Sequence, residues 1–402
     1  MPMGKGFAIT SDLDLRQILL RGYEKHTRRP EDLQEPSNKR RKLYSLPKLN
    51  IVAITNDTVA TLASLAYSVK SLPNSRVAMG IIVGTGCNAT IPMKLADLHE
   101  SKASHVISQT PGAEETVVNT EWTIAGAGGP LKELDITTNW DMELDNACAR
   151  PGFQPFEYMT GGRYIGELIR IILFDYLTKL VKLSKRDLPG NLIQEYALTT
   201  AFISEKVAHA RSDNALADEL NNLLPSPESS DWSWDATTAG AFRKIAMTVQ
   251  KRSAGLIAAA VVGLLACTHE IELKKEEDSS YNTPNLSHAQ SPHALSAKDQ
   301  ERSISPLQPA ENMNPGELNK PIVPILTQSL ADLGASPEEL VVAYTGGIIQ
   351  NYPRFKEMCQ EYIDRLVMRT GPQKGGKSVF LREASDGGII GAGVLAGTVA
   401  GQ

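Results

Sequence analysis

Two stretches decide the fold class: NIVAITNDTVATL at residues 50–62 and VAMGIIVGTGCNATI at residues 77–91. The first opens with apolar and β-branched residues, which predict a strand over 50–55, and continues into a predicted helix over 59–70. The second predicts another strand over 77–84 that runs into a glycine turn. A strand, a helix, a second strand and a glycine turn in this order predict an α/β sheet with functional groups at the strand ends.

Asn56, Asp57 and Thr58 follow the first predicted strand. A carboxylate beside an amide side chain can hold a sugar hydroxyl and accept its proton. Phosphoryl transfer uses such a base because a neutral hydroxyl is a poor nucleophile. Thr55, Asp57 and Thr58 are also suited to begin the following helix. Taken alone, these residues are more often a helix cap than a catalytic site.

The glycine turn Gly84-Thr85-Gly86 follows the second predicted strand. Its two glycines allow backbone N–H groups to approach phosphate oxygens closely, and Thr85 adds a hydroxyl donor. A tight turn without a ligand explains a single such tripeptide equally well. The turn together with the Asn-Asp-Thr stretch about 30 residues before it is a more specific signal for a phosphate site than the turn alone.

Together the two stretches resemble the hexokinase family, in which a V-N-D-T-V-G-T-L segment precedes an I-V-G-T-G-x-N segment. Further segments resemble family motifs and extend the match over nearly the whole chain outside one polar stretch. These segments are GKGF at 4–7, NTEW at 119–122, PGFQPFEYMTGGRYIGELIRIIL at 151–173 and QKRSAGLIAAAVVGLL at 250–265.

The resemblance implies a role for each matching residue. Asp57 would be the general base on the 6-hydroxyl of a hexose, and Thr85 would contact the phosphate that is transferred. Arg163 stands where the family often has a lysine that contacts the nucleotide. The side chains that would hold the sugar are Lys5, Asn56, Asp57, Asn88, Glu121, Gln154 and Glu157. The positions that would contact the nucleotide are Gly84, Thr85, Gly86, Arg163, Gly346, Gly347, Gly387 and Gly388.

The implied activity is ATP-dependent phosphorylation of a hexose at the 6-hydroxyl, with Mg²⁺ held mainly by the nucleotide. The implied fold is that of the actin-like ATPases, with two α/β domains closing on the sugar, the large domain nearly complete and the small domain truncated.

The resemblance also implies divisions of the chain. They are a small-domain remnant over 1–56 with a basic polar loop at 27–48, the large domain over 57–267, a disordered insert over 268–324, the large domain again over 325–385, and a C-terminal helix over 386–402. The insert is inferred from its Ser-, Pro- and Asn-rich composition.

The chain departs from the family pattern in several segments that contact ATP in the family. It contains neither the upstream D-x-G-G-T segment nor S-F-P, so we expect a fragment or a mis-started gene model with little or no kinase activity. The adenosine-side V-D-G-[ST] reads Tyr344-Thr345-Gly346-Gly347, and the terminal D-G-S-G-K-G-A-A-L reads DGGIIGAGV at 386–394. These changes put nucleotide affinity and choice in question.

The loop after NTEW reads TIAGA at 123–127, where the family usually has G-A-F-G-D. A loop without the phenylalanine and the aspartate leaves room for an acetamido group. With the other departures, it resembles a fungal N-acetylglucosamine kinase branch of the family. A glucose-type hexokinase with altered loops is the alternative. A second alternative is a non-catalytic sugar sensor, since the basic run Lys39–Lys42 and the insert suit a regulatory protein.

Composition excludes several other classes of protein. The net charge of −5 over 402 residues argues against a nucleic-acid binder. The four cysteines form no CxxC pair, which disfavours a zinc site or a disulfide framework. The apolar run at 254–267 is too short for a membrane span and predicts a buried helix. With no signal peptide at the start, the expected compartment is the cytoplasm; Lys39–Lys42 is a possible nuclear address or a solvated charge run.

Four further elements are predicted from periodicity and turn residues. They are a helix over 8–26 capped by Ser11 or Asp12, a helix over 156–185, a strand over 340–346 that leads into glycines, and a closing helix within 384–400.

Overall fold

The computed structural model of the chain describes residues 14–27, 46–69, 74–122, 127–273, 338–369 and 371–400. Several features predicted from the sequence therefore lie outside the described residues: Lys5, the candidate helix caps Ser11 and Asp12, the basic run Lys39–Lys42, residues 123–126, and residues 274–324 of the predicted insert.

The described residues build one five-stranded mixed sheet. Its strands lie in the order β3-β2-β1-β4-β5. Strands β1, β2 and β3 are antiparallel neighbours, while β4 and β5 run parallel to β1 on its other side. The strands are β1 (Ser75–Val83), β2 (Cys87–Lys94), β3 (Glu115–Asn119), β4 (Glu339–Thr345) and β5 (Ser378–Glu383).

The α-helices of the described residues vary widely in length. Short 3₁₀ and π turns lie between several of them. The first seven helices are α1 (Leu15–Glu24), α2 (Asp57–Val69), α3 (Glu100–Gln109), α4 (Gly129–Glu133), α5 (Asn139–Ala147), α6 (Pro155–Thr160) and α7 (Gly162–Asp175). The next seven are α8 (Gly190–Ile193), α9 (Thr200–Phe202), α10 (Asp213–Leu223), α11 (Ala236–Cys267), α12 (Gly347–Asn351), α13 (Phe355–Val367) and α14 (Gly387–Ala400).

Strand β4, which lies between β1 and β5, is buried on both faces of the sheet. Leu340 and Val342 belong to the large core with α7, α11 and α13, whereas Val341 and Ala343 belong to a smaller core with α2. Successive side chains of a strand point to opposite faces, so a run of apolar residues is needed here. The sheet is therefore covered by helices on both sides.

Helix α2 packs very closely against β1 and against α14. A Cβ atom on Gly80 of β1 would lie 2.8 Å from the Thr58 carbonyl oxygen. A Cβ atom on Gly391 of α14 would lie only 1.8 Å from the carbonyl oxygen of Ala60. Only glycine fits at these two positions, and the two contacts fix α2 between the sheet and the C-terminal helix.

Helix α11 is the longest helix of the described residues, at 32 residues. Asp235 and Thr238 form a capping box at its start. By length and composition alone it could cross a membrane, but 56% of its most apolar window is buried within the molecule. The apolar run at 254–267 forms the end of this helix and contributes Ile257, Val261 and other residues to the core.

The predicted strand over 50–55 is wrong. These residues belong to no strand, and Val52 and Ile54 are exposed. Apolar, β-branched residues favour a strand only when a neighbour supplies ladder hydrogen bonds. None of the five described strands pairs with this segment.

The predicted single helix over 156–185 is also wrong, since it is broken at Gly161. The backbone N–H groups of Gly162 and Arg163 donate to the carbonyl oxygens of Gly84 and Thr85, at 2.7 and 3.0 Å. The first N–H groups of a helix have no partner within it, so a new helix start at Gly162 can bind the glycine turn. A continuous helix would have used these donors internally.

Two predicted boundaries are corrected as well. The first helix begins at Leu15 with Asp14 as its N-cap, because the Asp14 carboxylate accepts the N–H groups of Arg16 and Gln17. The predicted insert cannot begin at residue 268, because Ile271 is buried and the backbone N–H of Glu272 donates to the Gln373 side chain at 2.9 Å. The predicted helix over 59–70 and the predicted strands over 77–84 and 340–346 form within about two residues of their expected bounds, whereas the helix predicted over 254–267 begins earlier, at Ala236.

Candidate functional site

Asn56 and Asp57 lie at the start of α2. The Asn56 side chain accepts the backbone N–H of Thr58 at 2.9 Å and so caps the helix. Asp57 is the first residue of the helix and its side chain is exposed, with one oxygen 2.9 Å from the same N–H. The carboxylate was expected at the end of a buried strand; it lies instead on the first turn of a helix, open to solvent.

A chain of hydrogen bonds joins the start of α2 to strands β2 and β3. The Thr58 hydroxyl donates to Asn56 Oδ1 and accepts the hydroxyl of Thr90 at 2.7 Å. It also lies 3.5 Å from Oδ1 of Asn119. Asn119 Oδ1 accepts from the Asn88 side chain at 2.7 Å. The predicted sugar-binding residues Asn56 and Asn88 are therefore linked through threonine and asparagine side chains.

Glu121 completes this cluster. Its Oε1 accepts from the side-chain amides of Asn88 at 3.2 Å and Asn119 at 2.6 Å. Its backbone N–H donates to Asn88 Oδ1 at 2.9 Å. The structure thus brings together four predicted sugar-binding residues, Asn56, Asp57, Asn88 and Glu121, within one polar cluster.

Gln154 and Glu157 lie at the start of α6 and are both almost fully buried. A buried carboxylate needs polar partners. Glu157 Oε2 accepts the backbone N–H of Cys87, the residue before Asn88, at 3.1 Å. Glu157 therefore touches the strand that carries the cluster.

The glycine turn is enclosed by two other glycine segments. Gly162 and Arg163 donate to its carbonyl oxygens, as described above, and a Cβ atom on Gly162 would lie 2.8 Å from Gly84 O. On another side, a Cβ atom on Gly346, which has φ +120°, would lie 2.5 Å from the Val83 carbonyl. Six predicted nucleotide-contacting residues therefore converge, namely Gly84, Thr85, Gly86, Arg163, Gly346 and Gly347.

A cavity of about 320 Å³ opens beside this turn. The Arg163 guanidinium lies over the Tyr196 ring, 5.3 Å from its centre, and both residues line the cavity. The Thr200 hydroxyl fixes its segment to α7, because it accepts the N–H of Gly166 at 2.8 Å and donates to the carbonyl of Gly162 at 2.6 Å. The cavity is lined by Gly162, Arg163, Tyr196, Leu198, Thr199 and Thr200.

Tyr196 lines this cavity, and Tyr164 and Tyr158 lie close to it, with their rings 4.9 Å apart. Burial raises the pKa of Tyr164 to about 12, and the charge of Glu157 adds to the shift. Burial also raises the pKa of Tyr196 and Tyr158. These phenols are therefore neutral hydrogen-bonding groups near neutral pH, and the cationic Arg163 is a suitable partner for an anion.

Gly387 and Gly388 begin α14 on the other side of α2. A Cβ atom on Gly387 would lie 3.3 Å from Thr61, whose hydroxyl donates to the Asp57 carbonyl at 2.9 Å. They therefore adjoin the helix that carries Asp57, whereas the other six predicted nucleotide-contacting residues surround the glycine turn. The loop at 123–126, on which the acetamido interpretation depends, lies outside the described residues.

Sequence reasoning missed Asn119, Tyr196 and Thr200. Asn119 stood inside the NTEW segment, and the segment itself was the signal that could have singled it out. No local motif marks Tyr196 or Thr200, which reach the cavity through the fold. Among the described residues, no group of three or more His, Cys, Asp or Glu side chains is arranged to hold a metal ion.

Two family models match the chain, and both describe a hexokinase. One matches residues 78–291 and 318–398, which is more than half of the chain, and the other matches residues 1–67. The first leaves residues 292–317 unmatched, within the segment predicted as an insert.

Curated hexokinases are similar to parts of the chain. Hexokinase-1 of Mus musculus is 34% identical over 179 residues, covering 44% of this chain and 16% of that protein. A hexokinase of Schistosoma mansoni is 37% identical over 161 residues, covering 39% of this chain and 32% of that protein. The chain thus spans less than a third of the length of these relatives.

Solved hexokinase structures share the fold. The structure of hexokinase from Schistosoma mansoni complexed with glucose superposes with a TM-score of 0.53 at 24% identity, covering 86% of this chain and 57% of the other. A second hexokinase crystal structure has a TM-score of 0.51 at 22% identity, covering 86% and 55%. The mixed sheet covered by helices is consistent with the actin-like ATPase fold of that family.

Proposed function

Because the chain belongs to the hexokinase family, we propose that it carries the sugar pocket and part of the nucleotide site of an ATP-dependent hexose 6-kinase. The observation that carries this proposal is the cluster of Asn56, Asn88 and Glu121 beside Asp57. Several amides and carboxylates in one place suit a ligand with many hydroxyl groups, because each can accept from or donate to a hydroxyl.

Asp57 is the proposed general base. One of its oxygens accepts the Thr58 N–H. We assign to its other oxygen the role of accepting the 6-hydroxyl proton of the sugar. The sugar 6-oxygen then attacks the γ-phosphorus of ATP, and ADP leaves. The remaining cluster residues, with Gln154 and Glu157, would fix the orientation of the sugar ring. Positioning of this kind is a large part of catalysis in phosphoryl transfer.

The proposed nucleotide site is the glycine turn together with the cavity beside it. Thr85 would contact the transferring phosphate, and Arg163 would supply positive charge where the cavity meets the turn. Gly346 and Gly347 would allow close approach of the nucleotide to the backbone. Mg²⁺, carried by the ATP phosphates, would neutralise charge there.

We propose N-acetylglucosamine as the preferred sugar, with glucose as the alternative. Support comes from the sequence TIAGA at 123–127, which lacks the phenylalanine and aspartate usual after N-T-E-W. The proposed large domain comprises residues 57–273 and 325–385, since Ile271 is buried beyond the predicted end at 267. Residues 1–56 and the C-terminal helix are proposed to belong to the small domain. The proposed compartment is the cytoplasm, and a fluorescent fusion with and without Lys39–Lys42 tests the nuclear alternative.

The 402 residues contain no D-x-G-G-T segment. Since that segment cradles ATP phosphates in the family, we propose that this chain alone binds sugar but transfers phosphate slowly or not at all. Sugar binding without turnover in the native protein of the source organism would favour the sensor alternative.

The test combines calorimetry with a kinase assay. The chain is titrated with N-acetylglucosamine, glucose and ATP, and turnover is measured on the native protein. Asn88→Ala is expected to weaken sugar binding about tenfold or more. Asp57→Asn is expected to keep sugar binding of the chain within about tenfold and, made in the native protein, to lower its kcat by about 10²–10⁴-fold.

Asp218→Asn, an exposed change on α10, serves as the matched control and is expected to alter neither quantity. A wild-type chain that binds neither sugar at millimolar concentration would overturn the proposed function. Equal turnover of both sugars, or a preference for glucose, would overturn only the proposed sugar.

A further inference from the structure

Asn119 lies at the centre of the polar cluster although it was not among the predicted site residues. It is the last residue of β3 and is half-buried. Its Oδ1 accepts from Asn88 at 2.7 Å, while its Nδ2 donates to Glu121 Oε1 at 2.6 Å. One carboxamide thus joins two proposed sugar ligands, and the direction of both bonds is set by the carboxylate, which can only accept.

The backbone at Glu121 is in the left-handed region, with φ +54°, and Trp122 follows with φ +28°. Such a conformation is unfavourable for a residue with a Cβ atom and persists only where surrounding contacts hold it. Here the contacts are the Glu121 N–H donated to Asn88 Oδ1, the Asn119 amide on the carboxylate, and the packing of Trp122 against Phe156 at 4.8 Å.

We propose that Asn119 is a positioning residue for sugar binding. It holds the Glu121 carboxylate and the Asn88 amide in the orientation in which they contact the sugar. This inference rests on the proposed function. The side-chain amides of Asn88 and Asn119 both donate to Oε1 of Glu121. We assign the other oxygen, Oε2, to accept a sugar hydroxyl. Asn119 itself touches no sugar and acts through these two neighbours.

Replacing Asn119 by aspartate would convert the amide donor into a second carboxylate at about the same place. Two carboxylates at hydrogen-bond distance cannot both be ionised without strong repulsion, so they share a proton at lower pH. The other titratable groups around the cluster are Asp57 on α2 and Glu157 on α6, and both remain in every variant. A dependence of sugar affinity on pH that appears only in Asn119→Asp would therefore report the bond to Glu121.

The experiment measures the Kd of glucose and of N-acetylglucosamine by calorimetry between pH 5 and pH 8.5. The variants are wild type, Asn119→Asp, Asn119→Ala and Asn222→Asp, an exposed change on α10 that controls for the added charge. Asn119→Asp is expected to bind within a few-fold of wild type at pH 5 and about tenfold or more weakly at pH 8.5. Asn119→Ala is expected to be about tenfold weaker at every pH.

An Asn119→Asp profile parallel to that of the wild type would overturn the inference and leave the proposed function standing. A wild type that binds neither sugar would overturn both. Thermal unfolding at each pH identifies a variant that fails to fold. In that case Asn119→Gln is measured, which keeps the amide but displaces it by one methylene. We expect it to bind sugar more weakly at every pH, with no new pH dependence. An unchanged sugar affinity would overturn the inference.

Discussion

The carboxylate of Glu167 on α7 accepts the backbone N–H of Tyr196 at 2.6 Å. The same carboxylate forms a buried ion pair with Arg170, which donates in turn to the carbonyl oxygen of Leu192 at 2.8 Å. Two bonds therefore tie the segment that carries Tyr196 to the helix that carries Arg163. The distance between the Arg163 and Tyr196 walls of the cavity is set by this buried pair.

Glu167→Leu is expected to destabilise the fold by about 3–5 kcal/mol, because it leaves the Arg170 guanidinium buried without its partner. The free energy of unfolding in urea measures the loss. Lys179→Ala, which removes an ion pair to Asp175 at 2.5 Å on the surface, is the control and should change stability little. A loss for Glu167→Leu no larger than that of the control would contradict the assigned role of the buried pair.

Gly162→Ala is expected to lower ATP affinity and to destabilise the fold by about 1–3 kcal/mol. The new methyl group would lie 2.8 Å from the Gly84 carbonyl and 3.1 Å from the Ile348 side chain, so that α7 must move away from the glycine turn. Gly190→Ala is the matched control, because its methyl group meets nothing within 4 Å, and it should change stability by less than about 0.5 kcal/mol. ATP affinity and the free energy of unfolding in urea are measured for both variants. Equal losses in Gly162→Ala and Gly190→Ala would refute the steric argument.

The helix α2 and the glycine turn could be predicted from the sequence because local rules determine them. Asn56 and Asp57 cap a helix by contacts within two residues, and the apolar run of β1 ends at glycines. Most site residues that the family motifs marked also lie close together, around Asn88 and around Gly84, whereas Gly387 and Gly388 lie beside α2 and Lys5 lies outside the described residues. Local signals and motif order were sufficient for this part of the molecule.

The remaining features depend on contacts between distant parts of the chain. Asn119 reaches Asn88 across 31 positions, and Tyr196 reaches Glu167 across 29. The break at Gly161 arises because the turn at Gly84 offers carbonyl oxygens to a new helix start. Apolar periodicity contains no information about such partners, so a single long helix was predicted there.

The acid stability of the protein is expected to depend on Arg76. Arg76 donates to both oxygens of Glu270, at 2.8 and 2.6 Å, and to Glu338 at 3.0 Å. The bonds from Arg76 hold the pKa of Glu270 below its usual value of 4.5, although burial opposes the shift. A carboxylate whose pKa is lower in the folded state stabilises the fold above about pH 4.5, and this contribution is lost as the pH falls through the folded-state pKa.

Arg76→Gln is therefore expected to be less stable than the wild type by about 1 kcal/mol at pH 7, a small value because the arginine is nearly half exposed. The difference should shrink as the pH falls below 4.5, since protonated Glu270 no longer gains from the guanidinium. Urea unfolding at pH 7, 5, 4 and 3 gives the comparison. Lys206→Gln, which removes one positive charge and a 3.2 Å surface ion pair with Glu219, controls for net charge. A difference that stays constant from pH 7 to pH 3 would show that Arg76 contributes through packing of its side chain and not through its bonds to Glu270.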